Sequence, residues 1–253
     1  MNDSSGAEES THFGYEEVPV AEKAKRVGAV FDSVAERYDL MNDLMSVGLH
    51  RLWKRQALGQ ARLRRGLRVL DLATGTGDLA ALESRAVGEA GSVIATDINH
   101  AMLGLGRDRL IDAGLADNVA YSLADAEALP FADGSFDRVT MAFGLRNVTN
   151  KPKALAAMRR VLRPGGLAVI LEFSQLYLPV LRPVYDRYSL HVLPRLGQWV
   201  AGDAASYRYL AESIRQHPDQ TTLRDMMATA GFDEVDFTNM TGGIVAIHRG
   251  HVY

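Results

Sequence analysis

From Leu67 onward the chain alternates short apolar runs with stretches of three- and four-residue apolar spacing. The runs predict strands over Leu67 to Leu72, Ser92 to Asp97, about Val119 to Leu123, Phe136 to Phe143 and Leu167 to Glu172. The spaced stretches predict helices over Asp78 to Val87, Asn99 to Ala113 and Pro152 to Leu162, with a short piece near Ala126. Repeated strand-helix-strand units require a parallel sheet with right-handed crossovers, and ligands of such sheets lie beyond the carboxyl ends of the strands. Two further runs, Phe232 to Asn239 and Gly243 to His248, are separated only by Met240-Thr241-Gly242. That distance admits a hairpin and no crossover helix, so the last strand is antiparallel, where dinucleotide folds close with a parallel one. The predicted fold is α/β and Rossmann-like, with seven mostly parallel strands.

The N-terminal part reads differently. Residues 1–20 are small, polar and acidic and predict a mostly disordered tail. Ala24, Val27, Phe31, Val34 and Tyr38 then form one apolar stripe of a helix. The stretch from Tyr38 to Trp53 mixes polar and large apolar residues without one period, which places Tyr38, Asp39, Asn42 and His50 either around a substrate mouth or in an ordinary helical cap. The basic run from Lys54 to Arg65 reads as a solvated helix face ended by Gly66. Three regions follow: the tail, a helical cap over 21–66, and an α/β domain over 67–253. An insertion at about 176–215 interrupts the last. Its segment Leu176 to Ala201 is apolar with interleaved arginines, suited to a lid on the domain or to lying against lipid or a greasy substrate.

Composition narrows the chemistry. A formal charge of -3 and a pI near 6.2 give no field that favours nucleic acid. No apolar stretch reaches the roughly 18 residues of a membrane span, and the N-terminus carries no signal-peptide pattern, so a cytoplasmic protein is expected. Cysteine is absent, which excludes thiolate nucleophiles, Cys-based zinc sites and the three-Cys cluster of radical chemistry. No metal is expected.

The predicted first strand stops at Asp71-Leu72-Ala73-Thr74-Gly75-Thr76-Gly77-Asp78. A phosphate-binding P-loop needs Gly-Lys-Ser/Thr at its end, and this turn has none. Gly75 to Ala80 does fit the dinucleotide pattern G-x-G-x-x-A, with Asp97 twenty residues beyond Gly77. Asp71, four residues ahead of Gly75, tips the reading to S-adenosylmethionine, because a carboxylate there opposes a pyrophosphate and suits a sulfonium or ammonium. Asp97 ends the second strand, where a carboxylate accepts from both ribose hydroxyls. Asp125-Ala126 follows the third, with a carboxylate for the adenine amino group and an N–H for the ring. Ala142 ends the fourth and is small enough for close approach. Any one of these aspartates also suits a helix N-cap; three in register with a glycine loop point to a cofactor. Arg146 follows at the same sheet edge as the first choice for substrate chemistry, and Glu172 closes the fifth strand there.

Taken together, two long stretches resemble signatures of the UbiE/MenG family of C-methyltransferases of ubiquinone and menaquinone biosynthesis. They are Tyr38-Asp39-Leu40-Met41-Asn42 through Ser46, His50 and Trp53, and Arg160-Val161-Leu162-Arg163-Pro164-Gly165-Gly166 through Glu172 and Ser174. Phe143-Gly144-Leu145-Arg146-Asn147-Val148 and Ala211 through Gln220 also look like family stretches, and the similarity runs from Thr11 to Gly250. Thr74 and Arg163 stand where the family more often has glycine and lysine, and Glu83-Ser84-Arg85 departs from its usual first helix.

The resemblance implies a class I methyltransferase with S-adenosylmethionine contacts at Thr76, Asp97, Asp125, Ala126 and Ala142. It also implies methylation of a quinol ring carbon, in demethylmenaquinol, 2-methoxy-6-polyprenyl-1,4-benzoquinol or both. A phenol ionises near pH 10, so such chemistry needs a base or a phenolate stabiliser. Arg146 is expected to hold the phenolate, with His50, Asp39 or Glu172 taking the proton. A non-catalytic subunit of a quinone-biosynthesis assembly, an N- or O-methyltransferase and, more remotely, NAD-linked oxidation are the competing readings. Peripheral membrane contact, partners from quinone biosynthesis and a homodimer stay open at this level.

Overall fold

A computed structural model describes residues 10–176, 187, 195, 198 and 204–253, without the side chains of Val34, Glu36, Tyr38 and Leu44. A hairpin of β1 (Ser10–Phe13) and β2 (Glu16–Pro19) precedes α1 (Val20–Val34), α2 (Tyr38–Ser46) and α3 (Leu49–Ala61). The alternation then runs β3 (Arg68–Leu72), α4 (Asp78–Val87), β4 (Ser92–Asp97), α5 (His100–Asp112), β5 (Val119–Leu123), β6 (Phe136–Ala142), α6 (Lys151–Val161) and β7 (Leu162–Phe173). Most of the expected insertion lies outside the described residues. The chain continues with α7 (Ala204–Gln216), α8 (Gln220–Thr229), β8 (Asp233–Met240) and β9 (Val245–Val252).

Seven strands form one sheet in the order β5-β4-β3-β6-β7-β9-β8. The first five are parallel, and β9 runs antiparallel to both β7 and β8. The predicted α/β class, the strand count and the antiparallel closing strand are all observed. Because strand order reverses between β3 and β6, their carboxyl ends open a crevice at the position where such sheets take ligands.

The sheet is covered on both faces, as its parallel strands require. Side chains of β7 alternate with period two. Leu167, Val169 and Leu171 pack with Trp53, Ala57 and Ala61 of α3 and with Leu210 of α7. Ala168 and Ile170 pack with Leu155 and Met158 of α6 and with Met227 of α8. Each buried leucine, isoleucine, valine or methionine among them stabilises the fold by roughly 1.5–3 kcal/mol. Helix starts use side-chain caps: Asn99, Asn150 and Asp219 accept from the backbone N–H groups of Met102, Lys153 and Thr222.

Two regions differ from the sequence expectation. Residues 10–19, expected within a disordered tail, form the β1-β2 hairpin, held from a distance by stacking of Phe13 on Tyr209 at 4.2 Å and by the Tyr15 N–H on Glu212 at 3.2 Å. The expected cap over 21–66 also divides. Helix α1 lies at the crevice, whereas α3 is part of the sheet's own cover, because Trp53, Ala57 and Ala61 supply the apolar face that β7 needs.

Candidate functional site

The crevice holds a cavity of about 270 Å³, lined by the carboxyl ends of β3, β4 and β6 and roofed by α1 through Val27, Gly28 and Phe31. Its floor is made by strand ends in unusual conformations. Ala73 and Phe143, immediately after β3 and β6, have φ values of 53° and 59°, and both line the cavity. Non-glycine residues in this region carry a steric cost and cluster at ligand sites. Gly144 allows the two turns to touch: a β-carbon there would stand 2.6 Å from the Ala73 methyl group.

Asp97 organises the polar end. Its Oδ2 accepts the Gly75 N–H at 2.9 Å and its Oδ1 accepts the Asn99 N–H at 2.9 Å, so one carboxylate ties the glycine loop to the start of α5. Burial raises its pKa and these N–H groups oppose the rise. Asp125, exposed, lines the same cavity beside Ala126, and its Oδ1 accepts the Glu127 N–H at 2.8 Å. The cavity thus offers carboxylates on one side and apolar walls on the other, which fits a ribose-bearing adenosyl group with a positively charged sulfur.

The other expected cofactor residues are placed around this cavity rather than all on it. Gly75 lines it, while Thr76 and Gly77 line a neighbouring outer cavity of about 310 Å³. Ala142 packs toward α3 and its neighbours Met141 and Phe143 line the cavity instead. Asp71 is a correction to the expected sulfonium contact. It is 1% exposed, lies beneath the loop and accepts from the Thr74 hydroxyl at 2.7 Å, so it supports the turn from below. Glu83, fully buried, accepts from the Thr140 hydroxyl at 2.7 Å, and that hydroxyl stands 3.5 Å from Asp71 Oδ1. Burial, reinforced by the like charge of Asp97 and opposed by the Thr74 hydroxyl and the Lys54 charge, pushes Asp71 up to about 7; burial and the Asp71 charge push Glu83 well above the usual carboxylate range.

Of the four expected catalytic residues, the structure joins two and separates two. Arg146 and Glu172 form an ion pair at 3.1 Å. Glu172 also accepts the N–H groups of Arg146 and Phe173, at 3.1 and 2.8 Å. With its lone pairs engaged, Glu172 positions Arg146 and is poorly suited to be the base. His50 is 3% exposed, shares a 2.9 Å hydrogen bond with Ser46 and lines none of the cavities described here; burial lowers its pKa. Asp39 sits behind the glycine loop, where it pairs with Arg109 at 2.7 Å and accepts from Thr76 at 3.1 Å. Asp39 comes from α2 and His50 from the first turn of α3, and neither lines the cavity that Arg146 lines. Asn42 is likewise buried, and the Tyr38 side chain lies outside the described set.

Sequence reasoning missed a third, polar cavity of about 330 Å³, lined by Lys23, Arg146, Lys151 and Tyr209 among others. Tyr209 donates to Asn147 at 3.0 Å, and Asn147 lines the apolar cavity, so this contact joins the two. Burial pushes the Tyr209 hydroxyl up to about 12. Burial first, then the Lys23 charge, lowers Lys151 to about 8. The one signal in the sequence was the position of Asn147 and Lys151 just after Arg146.

Residues 20–252 match the family model described as the ubiE/COQ5 methyltransferase family. Proteins named ubiquinone/menaquinone biosynthesis C-methyltransferase UbiE are similar over almost the whole chain. That of Cellvibrio japonicus is 59% identical, covering 95% of this chain and 97% of its own length, and that of Idiomarina loihiensis is 57% identical over the full length of both. Among solved structures, a SAM-dependent methyltransferase from Aquifex aeolicus aligns with a TM-score of 0.58 at 19% identity, covering 79% of this chain and 89% of that one. A possible histamine N-methyltransferase from Thermotoga maritima aligns with a TM-score of 0.60 at 19% identity, covering 88% and 98%. At that identity the structures speak for the shared fold.

Proposed function

The chain belongs to the ubiE/COQ5 methyltransferase family, and we propose from that premise that it transfers the methyl group of S-adenosylmethionine to a ring carbon of a polyprenyl quinol in ubiquinone or menaquinone biosynthesis. The observation that carries the reading is the coincidence of full-length similarity to C-methyltransferases with a cavity at the β3/β6 crevice that has Asp97 at its polar end.

Asp97 is proposed to hold the ribose hydroxyls, Asp125 and Ala126 the adenine, and the bare backbone at Gly75 the amino-acid part, with Thr76 and Gly77 shaping the loop and Ala142 backing Met141 and Phe143. Asp71 contributes from beneath, through the loop. The bound donor supplies an electrophilic methyl on sulfur. Arg146 stands at the carboxyl end of β6, fixed by Glu172, where its charge stabilises a phenolate on the acceptor. Exclusion of water and alignment of the two reactants account for the rest, at most about 7–11 kcal/mol from proximity.

No helix among the described residues is long and apolar enough to cross a membrane. A polyprenyl tail belongs in lipid, so the reading places the reaction at the inner face of the membrane, with the protein reaching the substrate from the cytoplasm. The test is incubation with labelled S-adenosylmethionine and either demethylmenaquinol or 2-methoxy-6-polyprenyl-1,4-benzoquinol. Label should enter the lipid extract with at least one of them; transfer to neither overturns the reading.

A further inference from the structure

The polar cavity gathers three basic side chains, and neither of its lysines has a carboxylate hydrogen-bonded to it among the described residues. Lys23 from α1, Arg146 from the turn after β6 and Lys151 from the first turn of α6 all line it. Glu172 is committed to Arg146 and to two backbone N–H groups. Glu127, the other nearby acid, accepts the Asn150 N–H at 2.8 Å. Lys23 is 5% exposed, and its ammonium has no hydrogen-bonding partner among the described residues. Among the described residues Lys151 donates only to the carbonyls of Val148, at 3.2 Å, and Arg146, at 3.5 Å, and it stands at a helix N-terminus, where a cation is electrostatically unfavourable. A buried lysine with no carboxylate hydrogen-bonded to it favours either the loss of its proton or an anion that completes the site. The hydroxyls of Thr149 and Tyr209 line the same space, and Thr149 lines the apolar cavity too.

We propose that this cavity receives the ionised hydroxyl of the acceptor ring, with Lys151 as the group that takes its proton and Lys23 as a second counter-charge. The assignment rests on the quinol reading above. The O–H bond breaks, its proton joins the neutral Lys151 amine, and the resulting phenolate lies between the ammonium groups and Arg146. The activated ring carbon then forms a bond to the methyl carbon while the methyl-sulfur bond breaks, leaving its electron pair on sulfur. Loss of the ring proton at that carbon to water restores the phenolate, which takes the proton back from Lys151.

Several charged or titratable groups surround Lys151. Lys23 on α1, Arg146 beside the cavity and His217 after α7 are its cationic or basic neighbours, His12 on β1 and Tyr209 on α7 line the same cavity, and Glu127 and Glu172 oppose. Burial and the Lys23 charge bring Lys151 down to about 8, within reach of a neutral amine at working pH.

The test compares the wild type with Lys151→Met, Lys151→Arg and Lys23→Met. Donor affinity is read by calorimetry, phenolate binding by the visible absorbance of 4-nitrophenol, and turnover by its pH profile with a short-tailed quinol. Lys151→Met should keep donor affinity within about twofold, weaken 4-nitrophenolate binding at least tenfold and lower kcat about a hundredfold with a smaller change in KM. The wild-type rise of kcat with pH near 8 should move toward the phenol's own range, near 10, in this variant. Lys151→Arg should restore phenolate binding without restoring that rise, and Lys23→Met should weaken phenolate binding and keep the rise, moved to somewhat higher pH because the Lys23 charge no longer lowers Lys151. Wild-type phenolate affinity and pH profile in a folded Lys151→Met overturn the assignment while the quinol reading stands. Lys151-dependent phenolate binding in an enzyme that methylates no quinol would overturn the quinol reading and its place for the acceptor.

Discussion

Arg146 Nη1 stands 3.1 Å from Glu172 Oε1, with the arginine 5% and the glutamate 1% exposed. The pair bridges the turn after β6 to the end of β7, and the guanidinium also lies over the Phe173 ring at 5.6 Å. Removing one partner strands the other charge in the interior. Glu172→Gln should therefore cost about 3 kcal/mol of stability, read as a lower thermal midpoint, together with reduced turnover. An unchanged midpoint would show that the pair does not hold the arginine.

Arg146 itself acts on charge that develops in the acceptor and not on the donor. Arg146→Ala should leave S-adenosylmethionine affinity within a few-fold and lower turnover about a hundredfold or more. Calorimetry beside a turnover assay separates the two, and unchanged turnover rejects the role.

Asp97 makes the opposite prediction. Its carboxylate holds the Gly75 and Asn99 N–H groups and lines the apolar cavity. Charge-assisted hydrogen bonds contribute about 1.5–3 kcal/mol, so Asp97→Ala should weaken donor binding by about 10- to 100-fold in a calorimetric titration. Wild-type affinity would remove Asp97 from the site.

The buried pair Asp71 and Glu83 gives stability a pH dependence of unusual sign. Both carboxyls are raised in the folded state, Asp71 to about 7, so the folded protein binds protons that the unfolded chain releases near pH 4. Stability from this source is full below about pH 4 and is lost as pH rises toward 7 and above. Glu83→Gln removes one charge and keeps an acceptor for Thr140. It should raise the thermal midpoint at pH 8 and flatten its decline between pH 5 and 8. A decline as steep as that of the wild type would count against the pair.

The sheet was legible because β3, β4, β6 and β7 are short apolar runs divided by helical spacing, and because the four residues between β8 and β9 leave no room for a crossover. Asp97, Asp125 and Arg146 were found from their positions at strand ends, which the parallel topology brings to one edge. Side-chain direction was not legible: Asp71 and Asp97 both lie at strand ends, yet one faces the underside of the loop and the other the cavity. Nor was the polar cavity, since Lys23, Lys151 and Tyr209 come from three helices far apart in the chain and meet only after α1 and α7 have packed. The hairpin over residues 10–19 depends in the same way on Tyr209 and Glu212, nearly two hundred residues away.

The most direct test of methyl transfer to carbon is NMR of the product formed from S-adenosylmethionine carrying a 13C-methyl group and a demethylated polyprenyl quinol. A single enriched methyl on a ring carbon is the expected result. Enrichment on oxygen, or none in the quinol, would contradict it.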